Sequence, residues 1–319
     1  MQVLNKKMID FDFDKFKPKW WAWNTHIQTI VASLFSKVQQ LKFKRVEIST
    51  PDDDFLEIDV ATADSDKPIV ALFHGLEGST ERYYINNLMH SLHSAGFSSA
   101  ALNFRGCGSR LNNQRRFYHS GETESYEMFF DWIAENHPQK HIYAIGFSLG
   151  ANTLIKYLGE REDHSLVKRA VAISPPYDLK KGSLQLHEGF NRIYEINFLK
   201  TLVEKLEMKR RQFSDMPTFS GNSLYEYDNQ VTAPLHGFKD ADDYYHQCSC
   251  KHYFEDVQIP LLLIHSKDDT LCPIEYAPIE KIKKNPHIHV IFTEQGGHVG
   301  FLSSPEGWMN RTILKWLER

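Results

Sequence analysis

Residues 141–159 read HIYAIGFSLGANTLIKYLG, and this stretch decides the fold. Its apolar first part, residues 141–145, has the length of a buried strand, and its last part, residues 149–159, has the spacing of a helix. Between them lies Gly146-Phe-Ser-Leu-Gly150, a G-x-S-x-G pattern with Ser148 at its centre. A strand, this turn and a helix are typical of a nucleophile elbow, in which the serine has a strained backbone. The alternative is a helix N-cap serine whose flanking glycines allow close packing.

Short apolar segments alternate with amphipathic segments on both sides of this turn. The alternation predicts an α/β fold, with a mostly parallel sheet and helices on both of its faces. An antiparallel hairpin is expected at the edge of the sheet, from residues 43–49 and 55–61. The predicted strands are residues 68–73, 98–103, 141–145, 168–174, 260–265 and 287–292, and the predicted helices lie near residues 82–95, 123–136, 149–159 and 306–317.

The stretch between the strands at 168–174 and 260–265 interrupts this alternation. It is rich in aromatic residues, has helical patterns, and contains no strand of the buried type. Because some eighty residues are too many for a bare loop, we expect residues 176–256 to form a helical cap insertion. The cap would cover the carboxyl ends of the strands, where ligands bind in open α/β sheets. The core would then comprise residues 1–175 and 257–319, with residues 1–40 packed on it.

A serine hydroxyl needs a base to accept its proton and an acid to orient that base. In elbow-containing folds the chain order is serine, then acid, then histidine. Downstream of Ser148, Asp269 follows one predicted strand and His298 follows the next, so both would lie at the same edge of the sheet as the elbow. The spacing D-x-x-x-P to Pro273 selects Asp269 as the acid, and Asp268 is the alternative.

The oxyanion of a tetrahedral intermediate requires two hydrogen-bond donors. We expect one to be the backbone N–H of Leu149 and the other that of Leu76, in the loop His74-Gly-Leu-Glu-Gly78 after the strand at 68–73. The alternative for this loop is an ordinary tight turn. Arg105 and Glu122 are predicted to brace the loops beneath the site, with surface pairing as the alternative.

Eight motifs make the sequence resemble the YheT-like branch of the α/β hydrolases, also called AB-hydrolase type 4. The resemblance implies the α/β-hydrolase fold and a Ser–Asp–His triad acting on carboxylic esters, at Ser148, Asp269 and His298. Relatives usually have proline where this chain has Thr270, a departure that loosens the register of the acid loop slightly. The motifs are Asn24-Thr-His-Ile-Gln-Thr29, His74-Gly-Leu-Glu-Gly-Ser79, Asn103-Phe-Arg-Gly-Cys-Gly-Ser109, Tyr118-His-Ser-Gly-Glu-Thr123, Gly146-Phe-Ser-Leu-Gly-Ala-Asn152, Tyr244-Tyr-His-Gln-Cys-Ser249, Lys267-Asp-Asp269 and Gly296-Gly-His-Val-Gly-Phe301.

The expected reaction is hydrolysis of carboxylic esters with short- to medium-chain or lipid-like acyl groups, through an acyl-enzyme. Thioesterase, amidase and acyltransferase activities use the same triad and stay open, as does a ligand-binding protein of this fold with little turnover. The aromatic residues of the cap favour an apolar substrate group, unless they form the cap's own core. They are Phe190, Phe198, Phe213, Phe219, Tyr225, Tyr244 and Tyr245.

The remaining composition is that of an ordinary globular chain. A net charge of -4 and the absence of a recognised motif argue against a nucleic-acid partner, so the expected partner is a small-molecule ester.

The four cysteines are expected to be free thiols in a reducing compartment, and the N-terminal sequence does not resemble a signal peptide, so we expect a cytoplasmic location. The tryptophans Trp20, Trp21 and Trp23 are expected to pack on the domain, with peripheral membrane contact as the alternative. No cofactor is expected, and the spacing of His246-x-Cys-x-Cys-x-His252 argues against a metal site.

Overall fold

The sheet has eight strands in the order β1-β2-β4-β3-β5-β6-β7-β8 in the computed structural model, which describes residues 13–35 and 41–319. Strands β3 to β8 are parallel, whereas β2 is antiparallel to both of its neighbours, as the predicted edge hairpin requires. The strands are β1 (Lys44–Ser49), β2 (Phe55–Ala61), β3 (Ile69–Phe73), β4 (Ser98–Asn103), β5 (Ile142–Phe147), β6 (Val167–Ile173), β7 (Leu261–Ser266) and β8 (Ile288–Thr293).

Helices cover both faces of this sheet, as the alternation of segments predicts. Residues that alternate along each strand enter two separate apolar cores, because successive side chains of a strand point to opposite faces. In β3, for example, Ala71 and Phe73 pack under the helices at 123–136 and 149–161, and Val70 and Leu72 pack under those at 83–94 and 308–317. The helices around the sheet are α1 (Thr25–Phe35), α2 (Tyr83–Ser94), α3 (Thr123–Asn136), α4 (Leu149–Arg161), α10 (Ile279–Lys284) and α11 (Trp308–Leu317).

The interval between β6 and β7 contains helices and no strand, and the structure describes every residue in it. These helices form two small apolar clusters of their own, separate from the two cores of the sheet. A single π-helical turn, Asp228–Thr232, interrupts the series between α7 and α8. The helices are α5 (Leu179–Leu186), α6 (Arg192–Arg210), α7 (Leu224–Tyr227), α8 (Ala233–Leu235) and α9 (Ala241–Cys248).

The N-terminal segment packs on the sheet domain where the structure describes it. Phe16 contacts the rings of Phe301 and Trp308, and Pro18 forms a β-bridge with Ser303. The prediction for residues 1–40 also covers residues 1–12 and 36–40, which lie outside the described residues. No helix in the described part of the chain is both long and apolar enough to cross a bilayer.

The expected packing of the three tryptophans is wrong for two of them. Trp20 is 89% exposed and Trp23 is 66% exposed, whereas Trp21 is partly buried and its ring lies under the Lys19 ammonium. The backbone turns here, with the Ala22 N–H donating to the Lys19 carbonyl at 2.8 Å, and Ala22 is the buried residue of this turn. Contact of Trp20 and Trp23 with a membrane surface stays a prediction.

A buried ion-pair network lies beneath the loop that follows β4. The Arg105 side chain is 1% exposed and donates to Asp54 Oδ2 at 2.6 Å and to Glu122 Oε1 at 3.1 Å. Both carboxylates have further donors, from Asn112 to Asp54 and from Arg116 to Glu122. Arg105 therefore braces buried loops, and the surface pairing considered for it does not occur.

Replacing Arg105 with methionine should destabilise the fold strongly. The substitution leaves two buried carboxylates without their shared cation, which typically costs about 3–5 kcal/mol. Equilibrium urea unfolding at neutral pH would measure the loss. Lys281→Met, which breaks the exposed pair with Glu255, is the matched control and should leave the unfolding midpoint almost unchanged. Equal midpoints for the two variants would contradict the structural role of this network.

Candidate active site

The turn between β5 and α4 holds Ser148 in a backbone conformation that L-residues seldom adopt. Its φ is 53° and its ψ is -120°, and its N–H donates to the Ile173 carbonyl of β6 at 2.8 Å. Strain of this kind costs on the order of 1–3 kcal/mol and is typical of functional turns. The turn presents the serine side chain at the carboxyl end of the sheet.

The two glycines of the motif are required because neighbouring backbones approach them closely. A Cβ at Gly146 would lie 2.6 Å from the Gly150 carbonyl oxygen, and a Cβ at Gly150 would lie 2.5 Å from the His74 carbonyl oxygen. These distances are too short for any side chain. The G-x-S-x-G pattern is therefore a packing requirement of the tight turn from β5 into α4.

Three of the predicted residues lie in one chain of hydrogen bonds. The Ser148 hydroxyl is 2.9 Å from His298 Nε2, and His298 Nδ1 is 2.8 Å from Asp269 Oδ2. Because the carboxylate can only accept, Nδ1 carries the proton and Nε2 is the acceptor for the serine hydroxyl. The Asp269 side chain is fully buried, and that of His298 is 12% exposed.

The two adjacent aspartates of the acid loop have different partners. Asp269 Oδ1 accepts the N–H groups of Leu271 and Cys272, each at 3.0 Å, which leaves Oδ2 for His298. Asp268 Oδ1 instead accepts the N–H of Gly297 at 2.9 Å and the Ser266 hydroxyl. Asp268 thus joins the acid loop to the histidine loop and does not contact the imidazole.

The loop after β3 has most of its N–H groups already paired. Gly75 donates to the Tyr84 hydroxyl, Glu77 to the Tyr118 hydroxyl and Gly78 to the Gly75 carbonyl. Within the described residues, the Leu76 N–H has no such acceptor and Leu76 lines the same cavity as Ser148. As the first residue of α4, Leu149 likewise has no intrahelical acceptor for its N–H.

The histidine of this loop is structural. His74 Nδ1 donates to the Gly75 carbonyl at 2.7 Å, and Nε2 accepts the Phe104 N–H at 3.1 Å. Burial lowers the pKa of His74 to about 3, so the ring is neutral and keeps this tautomer at any physiological pH. The ring therefore holds the loop to the end of β4.

Sequence reasoning missed the part that α1 plays in supporting His298. The His298 N–H donates to the Thr29 hydroxyl at 2.9 Å, and Gln28 is fully buried with its Oε1 accepting the Leu302 N–H at 2.6 Å. Gly297 packs so closely on α1 that a Cβ there would lie 2.6 Å from the Thr25 carbonyl oxygen. The motif Asn24-Thr-His-Ile-Gln-Thr29 was the available signal, but its sequence does not indicate which loop it contacts.

Thr270, which replaces the usual proline of the relatives, has hydrogen-bond partners in the segment before α6. The Thr270 hydroxyl donates to Asn191 Oδ1 at 2.8 Å, and Asn191 Nδ2 donates to the Thr270 carbonyl at 2.8 Å. These two hydrogen bonds join the acid loop to the segment before α6. Threonine supplies a hydroxyl at this position that proline lacks, and this hydroxyl makes one of the two hydrogen bonds.

A cavity of about 860 Å³, including its open mouth, lies over Ser148. The core of the sheet contributes Leu76, Leu149, Leu271 and His298, and the helices between β6 and β7 contribute most of the other walls. Of the seven aromatic residues named from the sequence, Phe198, Tyr244 and Tyr245 line it. The other four do not line it: Phe213, Phe219 and Tyr225 pack in the same small apolar clusters as these three, and Phe190 is 47% exposed.

The potential metal ligands converge at one place within residues 13–35 and 41–319. Ligand atoms of Asp269, Cys272 and His298 lie within 4.8 Å of one another, and this group contains two members of the hydrogen-bonded chain. The run from His246 to His252 does not form such a group there. Burial raises the pKa of the Cys272 thiol well above its usual value, which disfavours the thiolate that binds metals.

Comparisons with known proteins agree with this architecture. A family profile described as the alpha/beta hydrolase fold matches residues 68–305. The chain is 33% identical to "Putative esterase YheT" of Escherichia coli (strain K12), over 92% of this chain and 90% of that protein. It is 27% identical to a monoacylglycerol lipase of Saccharomyces cerevisiae, over 86% of this chain and 63% of the lipase.

A solved structure shares the fold at lower sequence identity. The Pyrococcus furiosus esterase Pf2001 superposes with a TM-score of 0.58 and 23% identity, covering 98% of each chain. At this identity the likeness concerns the fold. Together with the profile match and the 33% identity to YheT, it shows that the chain belongs to the α/β-hydrolase superfamily, in its YheT-like branch.

Proposed function

We propose that the protein is a serine hydrolase of carboxylic esters, with Ser148 as nucleophile, His298 as base and Asp269 as the orienting acid. The observation that carries the proposal is the continuous hydrogen-bonded chain from Ser148 Oγ through His298 to Asp269. The strained turn at Ser148 and the cavity above it support the same interpretation. The names of the relatives, an esterase and a monoacylglycerol lipase, favour esters with short- to medium-chain or lipid-like acyl groups.

The proposed reaction proceeds through an acyl-enzyme. Ser148 Oγ attacks the ester carbonyl while His298 Nε2 takes the hydroxyl proton, and the imidazolium is stabilised by the Asp269 carboxylate. The N–H groups of Leu76 and Leu149 donate to the oxyanion of the tetrahedral intermediate. His298 then protonates the leaving alcohol, and water repeats the attack on the acyl-enzyme with the same base.

Residues 176–256 are proposed to act as a cap that selects the acyl group, on a core of residues 1–175 and 257–319. Support comes from the walls of the cavity, where Leu179, Leu186, Phe198, Leu202 and Leu224 of the cap face Ser148 of the core. An apolar wall favours apolar substrate groups, because each buried methylene contributes about 0.8 kcal/mol. That free energy corresponds to about fourfold in kcat/KM for each methylene that the cavity accepts.

Shortening Phe198 to alanine should move the chain-length optimum toward longer acyl groups. The substitution removes a ring from the cavity wall and makes room for further methylenes. Measurement of kcat/KM over a series of nitrophenyl esters of graded acyl length gives the optimum. Phe213→Ala is the matched control, since Phe213 packs in the cap's own cluster beside Arg115 and does not line the cavity. An optimum that moves equally in both variants, or in neither, would refute this role of the cap.

Fluorophosphonate labelling tests the proposed function directly. We expect one label per chain, located on Ser148, together with hydrolysis of esters that the label abolishes. Esters, thioesters and amides that share one acyl group would separate esterase from thioesterase and amidase activity, and an added alcohol would reveal acyl transfer. A chain that binds these esters but is neither labelled nor active would be a ligand-binding member of the fold.

A further inference from the structure

A carboxylate lies in the wall of the cavity that Ser148 faces. Asp228 begins the π-helical turn Asp228–Thr232 and lines the same cavity as Ser148, Leu149 and His298. Single π-helical turns are rare and occur frequently at functional sites. Nothing in the proposed reaction uses this carboxylate, since the triad and the oxyanion donors are complete without it.

The charge of Asp228 has no cationic side chain beside it in the described part of the chain. Its Oδ1 accepts the Thr232 hydroxyl and its Oδ2 accepts the Tyr245 hydroxyl, each at 2.6 Å. Both donors are neutral, and no ion pair joins Asp228 to a lysine or an arginine within residues 13–35 and 41–319. Each carboxylate oxygen keeps a second lone pair for another donor. A negative charge that faces an apolar cavity without a cation is costly unless a ligand supplies one.

Three tyrosines surround this carboxylate on the cavity wall. Tyr227 precedes Asp228 in the chain, and Tyr244 and Tyr245 come from α9, and all three line the cavity. The rings of Tyr244 and Tyr245 have centroids 5.1 Å apart. Aromatic rings attract cations through their electron-rich faces, and clusters of such rings bind quaternary ammonium groups.

We propose that Asp228 and the surrounding tyrosines bind an ammonium group carried by the ester that Ser148 attacks. This inference rests on the proposed function and names the substrate class more narrowly. The leucines of the cavity would contact the hydrocarbon part of such an ester, and the carboxylate would bind its charged end. A purely structural Asp228 would only join the π-helical turn to α9, a task that a neutral amide could perform.

The charge on Asp228 should depend on pH in the range where the enzyme is assayed. Burial raises the pKa of Asp228 to about 6, so the carboxylate is ionised above this value and neutral below it. The other titratable groups facing it are Tyr227, Tyr244, Tyr245 and Cys248. Burial raises the pKa of each of them, that of Cys248 to about 12, so they stay neutral while Asp228 titrates.

The test uses two esters of equal shape that differ in charge. One ends in a trimethylammonium group and the other in a tert-butyl group. Pairs of such esters carry this terminal group either on the acyl chain, at graded lengths, or on the alcohol. In the wild-type protein we expect kcat/KM for the charged ester to exceed that for the neutral one by roughly tenfold, for at least one placement. Asp228→Asn should reduce this ratio to about one, as should lowering the pH of the wild-type assay from about 8 to about 5.

Asp242→Asn is the matched control variant. Asp242 lies on the outer face of α9, half-exposed and paired with Lys180, so its replacement removes the same charge from the cap without changing the cavity. The ratio should keep its wild-type value in this variant. A ratio that falls equally in both variants would reflect the general charge of the cap and overturn the proposal.

Binding measurements separate this inference from the proposed catalytic function. Calorimetry with Ser148→Ala and the same two esters reports recognition without turnover, and we expect roughly tenfold tighter binding of the charged ester. Equal affinities and equal kcat/KM values at every placement would overturn the inference while leaving the esterase function intact. Tighter binding of the neutral ester than of the charged one at every placement would overturn it too. Tighter binding of the charged ester by a protein that hydrolyses neither would refute only the esterase function.

Discussion

Ser148→Ala should lower kcat for ester hydrolysis by about 10⁶-fold. The alanine variant keeps the two oxyanion donors and the cavity but has no oxygen to form the acyl-enzyme. It should fold normally, because the alanine loses a single hydroxyl, whose hydrogen bond to His298 supports the site and not the sheet. The strained φ of 53° is kept as well, since alanine and serine carry the same Cβ. Initial rates with an activated nitrophenyl ester would measure the loss.

The control for this experiment is the purity of the variant rather than a second substitution. A loss of 10⁶-fold is easily masked by traces of host esterase, so residual activity should be titrated with a fluorophosphonate. Thermal unfolding of the variant should match that of the wild type. Activity within tenfold of the wild-type value, unaffected by the titration, would exclude Ser148 as the nucleophile.

The parts of the site that local sequence could predict are those at the ends of strands. Ser148, Asp269 and His298 each follow a short apolar segment, and in a parallel sheet the carboxyl ends of such segments lie at one edge. The structure has the strands there, with boundaries that differ by one or two residues, as in β6 (Val167–Ile173) against the predicted 168–174. Strand ends fray gradually, so the pattern of apolar residues cannot locate them more closely.

The supporting contacts could not be predicted in this way, because their partners are far apart in the chain. Thr29 contacts the backbone of His298 across 269 positions, and Asn191 contacts Thr270 across 79. No periodicity in the sequence encodes such pairs. Likewise, the local departure at Thr270 gave no indication that this residue pairs with the distant Asn191.

The sequence also could not predict which aromatic residues of the cap line the cavity. Its aromatic content indicated an apolar cavity wall, yet Phe213, Phe219 and Tyr225 form the cap's own clusters. A small helical layer needs an interior of its own before it can line a cavity, and composition does not separate these two uses. Asp228 was not predicted as a cavity residue, because a single acidic residue in a helical stretch is usually exposed to solvent.

Asp269→Asn should cost far more activity than Asp268→Asn, although the two residues are adjacent. Asp269 Oδ1 accepts two backbone N–H groups, so the amide oxygen of an asparagine must take that place and its NH₂ must face His298. An NH₂ group cannot accept the Nδ1 proton, so the imidazole adopts the other tautomer, with Nε2 protonated. That tautomer cannot take the proton of Ser148, and a loss of roughly 10⁴-fold in kcat is expected.

Asp268→Asn is the matched variant, because it makes the same chemical change one residue earlier. Asp268 uses one oxygen to accept the Gly297 N–H and the Ser266 hydroxyl, and an amide oxygen can accept both. We therefore expect its kcat to stay within about tenfold of the wild-type value. Any loss would come from a small displacement of the histidine loop. Values of kcat/KM for one ester, with thermal unfolding of each variant, make the comparison. The reverse ranking would mean that Asp268 orients His298 in solution and that the acid loop is displaced by one residue, while Ser148 and His298 would keep their proposed roles.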